Sequence, residues 1–301
     1  MTPEFDRAFE PRHGEPVTVA PTVRRLTARN PSPFTFAGTN TYLVGGDAVA
    51  VIDPGPDLEE HFQALRRALG GGRVTHVFVS HTHRDHSPLA ARLSREFGAT
   101  VLAQGPHRAA RLLAAGEENP LDASADSDFM PDRELEDGEL VQGEGWAIRT
   151  VLTPGHAANH ACFALEGSGI LFSADHVMAW ATTVVAPPDG DMADYMRSLD
   201  KLLARDDRLL LPGHGGPVRR PKTFMRGLKA HRRMRERAIL ARLEAGSRTI
   251  GEIVSALYQD TDPLLHGAAA WTVLAHLEDL SGRGLVRSEG PPGLGGRFAL
   301  A

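Results

Sequence analysis

Residues 80–87 read SHTHRDHS and follow the apolar run VTHVFV without a break. Within six positions stand His81, His83, Asp85 and His86. The apolar run reads as a buried strand, and functional loops sit at strand ends because the sheet fixes them while the loop faces solvent. In extended chain, residues i and i+2 point the same way. His81 and His83 can therefore bind one ion. A turn after Arg84 re-aims Asp85 and His86 toward a second, and Pro88 is placed to open a helix.

Two ions need more ligands, and three later strand ends offer them. TPGHA places His156 after Leu152, SADHV places Asp175 after ILF, and LPGHG places His214 after RLLL. Pro-Gly before two of these histidines lets the backbone turn sharply. Seven ligands from four segments suit two ions sharing one carboxylate. The chain has one cysteine, Cys162, which excludes an intrachain disulfide and a thiolate-rich zinc site. Any metal must sit on imidazole and carboxylate.

Up to about Pro217, short strands alternate with helices. Thr41–Val44 and Val49–Ile52 read as a hairpin, and DLEEHFQALRRALGGG as a helix with Asp57 and Glu60 as a capping box. PLAARLSREFGA, PHRAARLLAAG and MADYMRSLDKLLAR read as further helices. WAIRTVL, ACFAL and GILFSAD read as strands. Residues 117–138 are acidic and turn-rich, an expected exposed loop. Interleaved strands and helices imply an α/β sandwich. After Pro221 come a long basic helix, two shorter helices and a Gly/Pro-tipped hairpin, the outline of a winged helix. The expected units are residues 1–220 and 221–301.

The net charge of −5 conceals a basic run, since residues 219–242 carry ten Lys and Arg against one acid. Such a run is either a solvated helix face or a footprint for a phosphate chain. No signal peptide or apolar span is evident, so a cytoplasmic protein without a membrane partner is expected.

HTHRDH, PGH, Ala-Asp and PGHG, in this order and spacing, resemble the metallo-β-lactamase superfamily over roughly residues 38–218. The resemblance implies a four-layer αββα sandwich with the site at one sheet edge. It implies that His81, His83 and His156 bind a first metal, that Asp85, His86 and His214 bind a second, and that Asp175 bridges them. VIDPG matches the family's first motif, in which Asp53 orders the site by hydrogen bonds or simply closes a turn. GTNTYLVG, the segment after Asp175 and the winged-helix-like tail resemble the lactamase-beta-like protein 2 group. That group is similar to glyoxalase II in its core and includes a single-strand-specific endoribonuclease. Ala174 departs from the pattern, standing where Gly usually precedes the bridging Asp.

The expected activity is hydrolysis by a hydroxide held between two divalent ions, zinc first, with Asp85 orienting it. A single-stranded RNA substrate is one expectation. A thioester or lactone of glyoxalase II type is the alternative, and a DNA-binding regulator ranks below both. His160 is expected either to hydrogen-bond a ligand or contact substrate, or to have no role at a strand start. Metal identity and a homodimeric state are left open by the residues.

Overall fold

The computed structural model describes residues 3–113, 119, 124–260 and 262–301. Seven strands form a first sheet in chain order: β1 Val17–Ala20, β2 Val23–Thr27, β3 Asn40–Val44, β4 Ala48–Ile52, β5 Arg73–Val79, β6 Thr100–Ala103 and β7 Arg133–Glu134. Pairing is antiparallel from β1 to β4 and parallel from β4 to β7. The change of sense follows from the connections. Gly45–Asp47 make a tight hairpin between β3 and β4, whereas α1, Glu59–Leu69, supplies the crossover that a parallel pair requires. A second crossover, α2 at Leu89–Phe97, joins β5 to β6.

The second sheet contains β8 Leu140–Gly143, β9 Trp146–Leu152, β10 Ala161–Leu165, β11 Ile170–Ala174 and β12 Leu209–Pro212, in the order β12-β11-β10-β9-β8. Its one parallel pair, β11 with β12, is bridged by helix α3, Met192–Leu203. Three apolar clusters stack these layers. Phe62, Leu65, Leu89 and Leu93 pack α1 and α2 on the first sheet. Tyr42, Phe78, Phe163 and Phe172 fill the space between the sheets. Tyr195, Leu199 and Leu202 pack α3 on the outer face of the second sheet. The result is the expected αββα sandwich.

The C-terminal part comprises α4 Pro221–Glu244, α5 Ile250–Leu257, α6 His266–Gly282 and the hairpin β13 Val286–Ser288 with β14 Phe298–Leu300. Its own core is built from Ile239, Leu243, Ile253, Leu277 and Phe298. Met225 and Leu228, two turns into α4, belong instead to the cluster beneath the second sheet. One helix therefore contributes to both cores. Among the described residues no helix is long and apolar enough to cross a membrane.

Some local expectations fail. Helix α1 starts from Leu58 with no side-chain cap, so Asp57 does not form the expected capping box. The helix expected from Pro106 is absent over 106–113, where the chain is irregular, and the rest of that expectation, to Gly116, lies outside the described residues. The backbone there serves tertiary contacts, with Ala110 N–H donating to Pro188 O and Arg108 to Ala158 O. Within the expected acidic loop, Arg133–Glu134 form edge strand β7. Cys162 packs inside β10, and burial raises its thiol to about 12.

Two histidines away from the strand-end cluster are buried neutral. Burial lowers His61 to about 4 and His276 to about 3. Their folded values lie below the unfolded value near 6.5, so the unfolded chain binds more protons between those limits. Stability should be full above pH ~6.5 and fall as pH drops toward 4, by roughly 3 kcal/mol for each buried histidine. Urea midpoints measured from pH 7 to pH 4 check this. Replacing His61 with Gln should flatten the decline, and an unchanged slope would refute it.

Candidate metal centre

The sheet edges bring the strand-end residues together. His81 and His83 leave β5, His156 leaves β9, Asp175 follows β11 and His214 follows β12. His81 Nε2 and His156 Nε2 lie 3.0 and 3.1 Å from the same His83 Nδ1. Asp85 Oδ2 lies 3.4 Å from His86 Nε2 and 3.2 Å from His214 Nε2. Asp175 stands between the groups, with Oδ2 3.3 Å from His214 Nε2 and 3.8 Å from His156 Nε2, and Oδ1 3.5 Å from His86 Nε2. Three overlapping sets could each hold an ion: His81, His83 and His156; His81, His86 and Asp175; Asp85, His86 and His214.

Outer hydrogen bonds fix which imidazole nitrogens face inward. Val184 O accepts only, so His156 Nδ1, 2.7 Å away, carries the proton and Nε2 is a bare lone pair. His214 Nδ1 stands 3.3 Å from Gly38 O, which leaves Nε2 turned toward Asp85 and Asp175. His86 Nδ1 donates to Asp53 Oδ2 at 3.0 Å. His81 Nδ1 lies 3.0 Å from Ser80 Oγ, which donates onward to Asp53 Oδ2 at 2.7 Å, while Ser80 N–H reaches Oδ1 at 2.7 Å. Asp53 thus orients two imidazoles, one directly and one through Ser80.

The donor set fits divalent ions. A tetrahedral ion with bonds of about 2.0–2.1 Å keeps its ligand atoms roughly 3.3–3.5 Å apart, and the separations above scatter around that spacing. His86 Nε2 and Asp175 Oδ1 are buried with no hydrogen-bond partner. Electrostatics agree. Burial would raise both acids, but His214 and His86 hold the carboxyls of Asp175 and Asp85 well below the usual range. Burial would likewise lower His214, yet Asp175 and Asp85 bring it up to about 9. Burial first, then His156, lowers His83 to about 3. The carboxylate half of the cluster therefore demands positive charge, and the imidazole half offers lone pairs.

Two glycines make room for this packing. At Gly155, φ is +140° and an added Cβ would stand 2.4 Å from the Tyr195 backbone. Gly213 needs no unusual φ, but its Cβ would fall 2.5 Å from Asp175 Oδ1 and 2.7 Å from His86 Cε1. The first Pro-Gly serves a turn against α3 and the second serves clearance at the site. Ala174 adopts φ 42°, the left-handed region where a β-carbon is strained, immediately before Asp175.

His160 is fully buried behind the cluster, its ring 5.2 Å from that of His81, with Nδ1 2.9 Å from Thr153 Oγ1. It joins none of the three ligand sets among the described residues. Thr39, whose Oγ1 donates to Asp85 Oδ2 at 3.3 Å, was not anticipated, nor was Ser80. Ser80's place beside His81 could have suggested it. The carbonyls of Gly38 and Val184 carried no sequence signal, because every residue has one.

Residues 34–214 match the family model of the metallo-beta-lactamase superfamily, and residues 249–293 match the beta-lactamase associated winged helix domain. The chain is similar to a beta-lactamase-like protein 2 homolog of Caenorhabditis elegans, 27% identical over 92% of this chain and 90% of that one. It is also similar to the atrochrysone carboxyl ACP thioesterase dmxR1 of Cryptosporiopsis sp. (strain 8999), 27% identical over 81% of this chain and 74% of that protein. Among solved structures, a beta-lactamase domain protein from Burkholderia ambifaria superposes with a TM-score of 0.81 at 26% identity, covering 98% of this chain and 96% of that one. The strand-end cluster, the four layers and these matches agree: the chain belongs to the metallo-beta-lactamase superfamily and carries a C-terminal winged helix domain.

Proposed function

We propose that the protein is a binuclear metal-dependent hydrolase acting on an acyl thioester or ester. The observation that carries this reading is the chain of three ligand groups linked through His81 and His86, with Asp175 in the middle group. His81, His83 and His156 would hold one ion, Asp85, His86 and His214 the other, and Asp175 would lie between them. Such ions supply Lewis acidity, polarising a carbonyl oxygen and lowering the pKa of water. The chain's own part is orientation. Asp53, Ser80, Gly38 and Val184 hold the outer nitrogens of the imidazoles, so that the other nitrogen of each faces inward. Asp85, a quarter of whose side chain is exposed, is the more open of the two acids facing the cluster, so orienting water and accepting its proton fall to its carboxylate.

The disposition of the basic helix favours a small acyl substrate over RNA. Lys222 pairs with Asp206 and Lys229 with Asp200. Arg232, Arg235 and Arg242 turn to Thr183 O, Leu257 O and Ser247 Oγ. Half of the basic run is thus spent inside the molecule, while residues 1–218 carry an excess of acids, which repels a polyanion. The similarity to an ACP thioesterase points the same way. Arg226, Arg233 and Arg237 remain exposed on one face of α4, with Arg219 and Arg220 exposed just before it, and these five are what an RNA substrate would have to use.

The test is one metal-loaded preparation assayed on a thioester such as S-lactoylglutathione, a fluorogenic single-stranded RNA and a chromogenic β-lactam. Thioester turnover at least tenfold above the others in kcat/KM is expected. RNA cleavage that falls when Arg226, Arg233 and Arg237 become Gln would overturn the substrate assignment, and failure to retain any metal would overturn the hydrolytic one.

A further inference from the structure

We propose that Arg232, on the helix leading into the winged helix domain, is a positioning residue for the metal centre. It would act through the segment 183–184. The inference rests on the reading that the strand-end cluster holds metal.

Arg232 is 3% exposed, deep for a guanidinium with its five N–H donors. A buried guanidinium needs acceptors. It donates from Nη2 to Thr183 O and lies over the Tyr195 ring, 5.1 Å from the centroid. Both partners lead to the cluster. Thr183 Oγ1 donates to Asp175 O at 2.7 Å and to His176 O at 3.1 Å. Val184, the next residue, presents its carbonyl to His156 Nδ1 at 2.7 Å. Tyr195 donates from its hydroxyl to His176 O at 3.1 Å.

The carbonyls of Thr183 and Val184 thus serve opposite partners: the first faces Arg232 on α4 and the second faces a ligand histidine. The Thr183 side chain grips the backbone of Asp175. That backbone begins from Ala174 at φ 42°, a conformation a non-glycine residue holds only under outside constraint. Without the guanidinium, Thr183 O loses a charge-assisted bond, and the segment can move away from both Asp175 and His156. Hydrogen-bonding partners of metal ligands typically contribute 10–100-fold in metal affinity.

Arg235 provides the control. It lies one turn further along α4 and carries the same charge, but it bonds Leu257 O and covers the Tyr258 ring at 4.1 Å, both in the C-terminal part. The experiment compares the wild type with Arg232→Met, Arg232→Lys and Arg235→Met. It measures cobalt(II) affinity by chelator competition and records the visible absorption of the bound cobalt. Arg232→Met should weaken the looser ion by roughly 10–100-fold and shift its absorption bands. Arg232→Lys should recover part of both, and Arg235→Met should change neither by more than about twofold.

Thr183→Val removes only the hydroxyl bonds to Asp175 and His176, and should reproduce part of the loss should Arg232→Met fail to fold. Wild-type affinity and spectrum in Arg232→Met or, where that variant does not fold, in Thr183→Val would overturn the proposal. So would an equal loss in Arg235→Met, which would mark general destabilisation. Those results leave the metal centre standing. A wild type that binds no cobalt would remove the metal reading itself, and the inference with it.

Discussion

On the proposed binuclear reading, Asp175→Ala should reduce bound metal from two ions per chain to one or none, and lower hydrolysis on the order of 10³-fold or more. Asp175 approaches His86, His156 and His214 at once, so its loss breaks two of the donor relations on which the second ion depends. His83→Ala should act in the same direction at the other position, because His83 Nδ1 is the atom that both His81 and His156 approach. Neither change touches the apolar clusters that hold the layers. Thermal unfolding in the presence of a chelator should therefore shift by only a few degrees. Metal content by elemental analysis, beside the thioester rate, decides the matter. Full activity in metal-free Asp175→Ala would end the mechanism.

Gly213→Ala should cost about 100-fold in activity and release one ion. The added methyl would stand 2.5 Å from Asp175 Oδ1 and 2.7 Å from His86 Cε1, inside any tolerable contact. Asp175 and His86 cannot simply swing away, because both are buried and His86 Nδ1 is tied to Asp53. The misplacement falls on the ligands themselves, and displacements near 1 Å are enough for a hundredfold loss. Gly216→Ala is the matched control, since its Cβ would meet nothing nearer than 3.7 Å. Equal activity of the two variants would show that clearance at Gly213 is unimportant.

Much of the architecture was legible along the chain. The strands WAIRTVL and ACFAL occupy the expected residues because their apolar and β-branched side chains match a buried sheet. Helix α2 ends at Phe97 with Gly98 in the left-handed conformation, as a C-terminal glycine predicts. Strands β1 and β2 were not anticipated. Their sequences, VTVA and VRRLT, carry little alternation, and pairing decides them, β2 on β3 and β1 on β2. The helix expected over 106–116 failed in its described part because local propensity there yields to contacts with Pro188 and Ala158.

At the site, the seven strand-end side chains that the structure gathers could be read from residue type and placement. Ordering of the site by Asp53 was one of two readings open from its motif, and its hydrogen bonds to Ser80 and His86 favour it. The contacts of Ser80 and Thr39 could not be read, since each depends on distances between segments far apart in the chain.

What the sequence alone determined is the chemistry available: imidazoles and carboxylates at strand ends, one thiol confined to a strand, and a basic helix before a winged helix. The tertiary structure decided which lone pairs face inward, which glycine gives clearance, and where the basic helix spends its charge. The physical reason is reach. Periodicity and turn propensity act over a few residues, while a hydrogen bond from Arg232 to Thr183 or from His86 to Asp53 exists only after the sheets have packed.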